Sequence, residues 1–140
     1  MKSFFIILSL MIVSFSYCYA DMVVSFDKLP NNIKSFVKTY FPGTVVMFAE
    51  QDYNEYKIRL NNGVEIEFDI NGAWKEVKSF QNFPTELLPK MIVNSIIKTY
   101  PYINIIKVER IWNGYEIKLS NMMELFIDKN GNIVASQFDD

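Results

Sequence analysis

Histidine is absent from the 140-residue chain, and cysteine occurs once, at Cys18. The first absence excludes histidine-based triads, histidine zinc sites and histidine pH switches. The second leaves no disulfide to staple the chain to itself. A basic excess is missing too. Fourteen Lys and Arg against 16 Asp and Glu give a net charge of -2, which excludes nucleic-acid binding through a general basic surface. There is no Gly-x-Ser-x-Gly, no Gly-x-x-x-x-Gly-Lys and no cluster with metal-ligand spacing, so no catalytic residue, cofactor or metal is expected. What is present is 50% apolar and 21% charged, the mixture of a folded globular protein.

The first twenty residues read as an address. Lys2 precedes the apolar run Phe4–Val13, and Cys18-Tyr19-Ala20 ends in a small residue suited to signal-peptide cleavage after Ala20. Two other readings stand beside it. Cys18 is a candidate for lipid modification, against which Tyr17 is bulky. The run is also a candidate anchor, although it is short for the roughly 20 residues that a span needs. Cleavage predicts a periplasmic or secreted chain, 21–140, with no cysteine and no membrane span. At about 120 residues one hydrophobic core suffices to hold it.

A shift of 59 positions aligns the chain with itself. Leu29-Pro30 meets Leu88-Pro89, Pro42 meets Pro101, and Tyr56, Ile58 and Leu60 meet Tyr115, Ile117 and Leu119. Asp69, Asn71 and Gly72 meet Asp128, Asn130 and Gly131, and in all 14 positions between 29 and 74 are identical. About three would arise by chance, so the chain is a tandem repeat, with units of about 21–80 and 81–140. Lys38-Thr39-Tyr40 matches Lys98-Thr99-Tyr100 at a shift of 60, which predicts helices differing by one residue in length.

Each unit reads as a helix followed by a four-stranded antiparallel meander. In the first, Pro30 suits the opening turn, Ile33, Phe36, Val37, Tyr40 and Phe41 form one apolar stripe, and Pro42-Gly43 ends the helix. In the second, Thr85 is the expected N-cap, and Leu88, Ile92, Ile96 and Tyr100 form the stripe before Pro101. The expected strands are 45–52, 56–60, 64–69 and 74–78, and then 104–112, 115–119, 123–128 and 133–138. Tyr56, Ile58 and Leu60 alternate with Lys57 and Arg59, and Val64, Ile66 and Phe68 with Glu65 and Glu67. This is the pattern of a sheet packed on one face and wet on the other. The expected fold is α+β: one eight-stranded antiparallel sheet, two helices on one face and the other face open. A single domain is expected, because a unit of about 60 residues is marginal alone.

The turns set the registers. A three-residue loop, Asn61-Asn62-Gly63, pairs Leu60 with Val64 and Arg59 with Glu65, with Gly63 left-handed. The copy carries Met122 there, a strained choice. A two-residue Asn113-Gly114 turn would set Glu109 opposite Lys118 and Lys118 opposite Glu124. The first unit would then set Glu50, Arg59 and Glu65 in one row and Asp52, Lys57 and Glu67 in a second.

Leu29-Pro30, Tyr40-Phe41-Pro42-Gly43, Tyr56–Leu60, Asn62-Gly63, Glu65–Asp69 and Gly72–Val77 together resemble the beta-lactamase-inhibitor-like, PepSY-like family of exported bacterial proteins. The resemblance covers the whole chain after the leader, with Met122 where glycine is typical and Ile133 in the place of Trp74. It implies a BLIP-like fold and a protein-binding module with an open sheet. Related PepSY domains occur in peptidase propeptides, where binding or inhibiting a protease is the suggested role. The founding beta-lactamase inhibitors are longer and disulfide-bonded, so their target is not carried over, and no inhibitory residue transfers by motif.

The candidate partner-binding residues lie on the open face: Phe48, Phe126, Lys57, Arg59, Glu65, Glu67, Lys118 and Glu124. The simpler reading is a solvated face whose cross-strand ion pairs contribute roughly 0.2–1 kcal/mol each. Scattered exposure of single phenylalanines is equally ordinary. Tyr53 and Trp112 are candidate hairpin-tip contacts. The register above places them on the inner face with Tyr56 and Tyr115, which favours packing. Asp69–Gly72 and Asp128–Gly131 resemble the start of a calcium loop but lack its further oxygen ligands, and read as hairpin turns. Acidic residues that alternate along strands opposite lysine or arginine do not form the acid and base of a glycosidase cleft.

The leading expectation is therefore a non-enzymatic exported module that binds another protein of the envelope or extracellular space, an inhibitor of a hydrolase being the concrete form. A binder of small ligands, acting as a sensor or adaptor through a tyrosine-lined pocket between helices and sheet, is the alternative. A carboxylate-based enzyme comes third. Open sheet edges also leave dimerisation by edge pairing as a route to self-association.

Overall fold

The computed structural model describes residues 22–139. The leader, its cleavage point after Ala20 and Cys18 lie outside them. The chain order is β1 (Met22–Val23), α1 (Asn31–Tyr40), β2 (Val46–Gln51), β3 (Glu55–Leu60), β4 (Glu65–Asp69), β5 (Trp74–Lys78), α2 (Lys90–Thr99), β6 (Ile105–Ile111), β7 (Gly114–Leu119), β8 (Met123–Asp128) and β9 (Ile133–Phe138). All nine strands form one antiparallel sheet in sequence order. Eight were expected. The ninth, β1, pairs Met22 with Gln51 and Val23 with Glu50 along the edge of β2.

One apolar row explains why both helices share a face. Ala49, Ile58, Ile66, Val77, Val108, Ile117 and Leu125 stand side by side across seven adjacent strands, and all seven are buried. Ile33 and Val37 of α1 pack on the first half of this surface, and Ile92 and Ile96 of α2 pack on the second. The Val77–Val108 pair carries the sheet across the boundary between the repeats. Above it, Trp74 and Phe83 touch both clusters. Side-chain period 2 puts every charged neighbour in the row on the opposite face.

Each helix is entered through a short 3-10 turn, Phe26–Lys28 and Thr85–Leu87, followed by a buried leucine (Leu29, Leu88) and then proline. Thr85 therefore opens that turn and does not cap α2, whose N-cap is Pro89. Both helices have ten residues, with Phe41 and Tyr100 as their C-caps, so the expected one-residue difference in length is not found. The repeat shift of 59 holds through both helices, and the Lys-Thr-Tyr match lies out of phase with it.

Candidate functional site

The turns of β3–β4 and β7–β8 follow the expected registers. Arg59 faces Glu65, Lys57 faces Glu67 and Lys118 faces Glu124. The other two hairpins do not. Glu50 faces Lys57 rather than Arg59, which instead faces Phe48. Asp52 leaves the row altogether: its N–H donates to the Glu55 carbonyl at 3.0 Å, and its carboxylate accepts from the Asn54 and Glu55 amides. Glu109 faces Glu116, and Lys118 faces Lys107. In both hairpins the pairing has slipped by two residues, which keeps every side chain on its face and changes every partner.

The reason lies at the tips. Ile111 pairs with Gly114, so the two-residue turn is Trp112-Asn113, not Asn113-Gly114. Gly114 belongs to β7, where a Cβ would stand 2.0 Å from the Ile127 carbonyl oxygen. Only glycine allows that approach. Tyr53 and Trp112 are therefore turn residues and project from the sheet, 75% and 90% exposed. The expectation that they pack on the inner face is corrected.

The β6–β7 slip completes two rows that the sequence did not suggest. Glu67, Glu76, Glu109 and Glu116 stand next to one another on β4–β7. In the adjoining row Lys78, Lys107 and Lys118 stand together on β5–β7. Like charges directly opposed across strands are destabilising. Lys107 relieves part of this, with Nζ 3.1 Å from Glu76 Oε2 and 3.6 Å from Glu109 Oε2. Its neighbours point elsewhere. Lys78 Nζ lies 5.3 Å from the Phe80 ring centroid, and Lys118 bonds the Asp139 carboxylate rather than Glu124, which takes a bond from Gln137 Nε2 at 2.6 Å.

Titration reflects the crowding. Burial, then the charges of Glu76 and Glu55, pushes the Glu67 carboxyl up. Burial, then a hydrogen bond and charge from Glu124, pushes Glu116 up. Burial disfavours the Lys107 cation, yet Glu76, Glu109 and Glu116 overcome this and raise it. At the rim Glu55 is lowered, first by its 2.6 Å bond from Lys75 and against its own desolvation, with Lys57 at 3.1 Å adding to the effect.

The open-face candidates other than Phe126 fall into two shallow hollows. One, of about 310 Å³, gathers Phe48, Lys57, Arg59, Glu65 and Glu67, with Arg59 Nη2 2.8 Å from Glu65 Oε1. The other, of about 400 Å³, gathers Lys118 and Glu124 with Lys107. Glu76 lines both. Phe48 is 42% exposed. Phe126 is half-buried and faces Glu116 at the end of the glutamate row. The decisive residues missed from sequence are Glu76, Lys107 and Glu116. The first repeat held the clue to their register, because its own turn is Tyr53-Asn54, the equivalent of Trp112-Asn113.

The two aspartate turns are self-satisfied. Asp69 Oδ1 accepts from the Asn71 and Ala73 amides, and Asp128 Oδ1 from those of Asn130 and Asn132, all at 2.9 Å. Among the described residues no group of three acidic, cysteine or histidine side chains is placed to hold a metal ion. No helix among them is long and apolar enough to cross a membrane.

The family model described as "Putative beta-lactamase-inhibitor-like, PepSY-like" matches residues 18–69 and 54–135, so that it covers the two halves in turn. The chain belongs to that family. Three solved structures share the fold of this PepSY-like protein over 84% of its length. A "putative periplasmic protein" from Bacteroides vulgatus is 31% identical, with 96% of its chain covered and a TM-score of 0.76. A "putative calcium-regulated periplasmic protein" from Bacteroides thetaiotaomicron is 29% identical, with 96% covered and a TM-score of 0.78. A second B. vulgatus protein, "of unknown function", is 26% identical, with 99% covered and a TM-score of 0.78. No functionally curated protein matches the chain.

Proposed function

We propose that this PepSY-like chain is an exported, non-enzymatic binding module of the periplasm, whose open sheet face docks a protein bearing lysine or arginine groups. The observation that carries the reading is the row Glu67–Glu76–Glu109–Glu116, in which Lys107 bridges Glu76 and Glu109. A solvated face selected only for stability would alternate charges along the row, since opposed like charges cost free energy. Keeping four carboxylates in line is understandable when a cationic partner completes them. Phe48 and the half-buried Phe126 add apolar contact at the flanks. Residues 1–20 act as the signal peptide, and an envelope hydrolase is the concrete target class. The Asp69 and Asp128 carboxylates serve their own turns rather than the calcium regulation ascribed to the B. thetaiotaomicron protein.

The test is affinity capture from the native envelope fraction with the exported protein as bait, alongside its Glu76→Lys/Glu109→Lys and Phe48→Ser/Phe126→Ser variants. One enriched protein, lost with the charge reversal and weakened by the double serine variant, supports the reading. Capture that is unchanged by both variants, or no capture by a folded bait, overturns it.

A further inference from the structure

Opposite the open face, the tandem repeat makes the same recess twice, between the second half of each helix and the first strand that follows. The first recess, of about 570 Å³, is walled by Val37, Phe41, Phe26 and Val46. The second, of about 470 Å³, is built at the equivalent positions by Ile96, Thr85 and Ile105, with Phe83 added from the chain between the repeats. The two differ where a ligand's polar end would sit. Lys34 and Lys38 edge the first recess; Val93 and Ile97 replace them in the second. Gly43 lines the first mouth, whereas the equivalent Tyr102 is fully exposed and stands outside the second.

Within the first recess two polar groups are already engaged. Thr44 Oγ1 donates to the Phe41 carbonyl at 2.6 Å. Lys34 is held at the rim, donating to the Asp27 carbonyl at 2.9 Å with its ammonium 5.9 Å from the Phe26 ring centroid. Lys38, one helical turn on, has no hydrogen bond or ion pair among the described residues. An apolar floor with two ammonium groups on one rim matches a molecule with an apolar body and a single anionic head. We infer that the first-repeat recess binds a free fatty carboxylate, its chain against Val37 and Phe41 and its head between Lys34 and Lys38. The second recess, lacking both cations, does not.

The internal copy supplies the control, since Lys34→Val/Lys38→Ile installs the residues the second repeat carries. Decanoate is titrated calorimetrically into the exported protein, with decanol and phosphatidylglycerol vesicles as separate arms, while amide signals are followed by NMR. The expected result is saturable decanoate binding that moves the signals of Ser35, Val45 and Val46 and leaves Asn104 and Ile105 in place. The double variant should weaken decanoate about tenfold while leaving the weaker decanol binding unchanged. Lys34→Gln/Lys38→Gln carries the same comparison if the aliphatic pair lowers solubility. The inference is overturned if decanoate does not saturate, if decanol binds equally well, if the double variants bind decanoate as the wild type does, if the moved signals lie at the second recess, or if only the vesicles bind.

Discussion

Glu109 stands directly opposite Glu116 across the β6–β7 ladder, and Glu76 stands on its other side. Lys107 crosses from the next row to bridge Glu76 and Glu109. Removing that cation leaves the carboxylates facing one another. Lys107→Met should cost about 1 kcal/mol in urea unfolding, a modest figure because the groups are partly solvated. The cost should shrink when Glu76→Gln is added, with the remainder owed to the Glu109 contact, as a double-mutant cycle would show. An undiminished cost in that background would assign the effect to packing of the lysine stem.

The acidic row also sets a pH dependence. Glu67 and Glu116 are raised in the folded protein above the ordinary 4.5. A raised carboxyl binds protons more readily folded than unfolded, so stability is gained as pH falls from neutral through the raised values toward 4.5. Glu55 and Asp128 are held below their ordinary values, the first by Lys75 and the second by Asn132. Their contribution is lost as pH falls further, through those lowered values. The melting temperature should thus rise on going from about pH 7.5 to about 5 and drop below about 4. In Glu67→Gln/Glu116→Gln the rise should disappear and the neutral-pH melting temperature should increase. A melting temperature that falls steadily from pH 7.5 would contradict this assignment.

The rows were half legible in the sequence. Alternation placed Lys57, Arg59, Glu65, Glu67, Lys118 and Glu124 on the correct face, though not Asp52, and Asn61-Asn62-Gly63 fixed Arg59 opposite Glu65. The slip of β2 against β3 and of β6 against β7 was hidden, because a two-residue slip leaves the alternation intact. Asn113-Gly114 looked like the stronger turn signal, yet tertiary approach of the Ile127 carbonyl claimed Gly114 for β7. Bulges between Val46 and Phe48 and between Ile105 and Lys107 leave no mark in composition. Strand β1, at two residues, is too short for any periodicity to show.

Met122 occupies the left-handed turn position with φ 68°, where Gly63 of the first repeat has φ 83°. A side chain there costs roughly 1–2 kcal/mol, and Met122 is too exposed for its packing to recover all of that. Met122→Gly should therefore stabilise the fold by about 0.5–1 kcal/mol, allowing for the extra freedom glycine gives the unfolded chain. Chemical denaturation measures it. Destabilisation instead would show that the Met122 side chain contributes more in the hollow beside Glu124 than its backbone costs.

Trp74 joins the two hydrophobic clusters, with the Arg110 guanidinium 5.2 Å from its ring centroid and Arg110 Nη1 donating to its carbonyl at 3.3 Å. Its equivalent in the second repeat, Ile133, packs on one cluster only. Trp74→Ala should cost about 2–3 kcal/mol, below the usual range for a fully buried tryptophan because the ring is half-exposed. Ile133→Ala should cost less. Equal costs would deny Trp74 a role at the junction of the repeats.

The most direct test of open-face docking is site-specific photo-crosslinking in the producing cell. A benzophenone side chain is placed at Phe48 or Gln137 on the open face, and at Thr39 or Asn94 on the outer surfaces of α1 and α2. The predicted result is one discrete adduct from each open-face position and none from the helices. Adducts that form only from Thr39 or Asn94 would place the partner on the helical side and contradict docking on the open face.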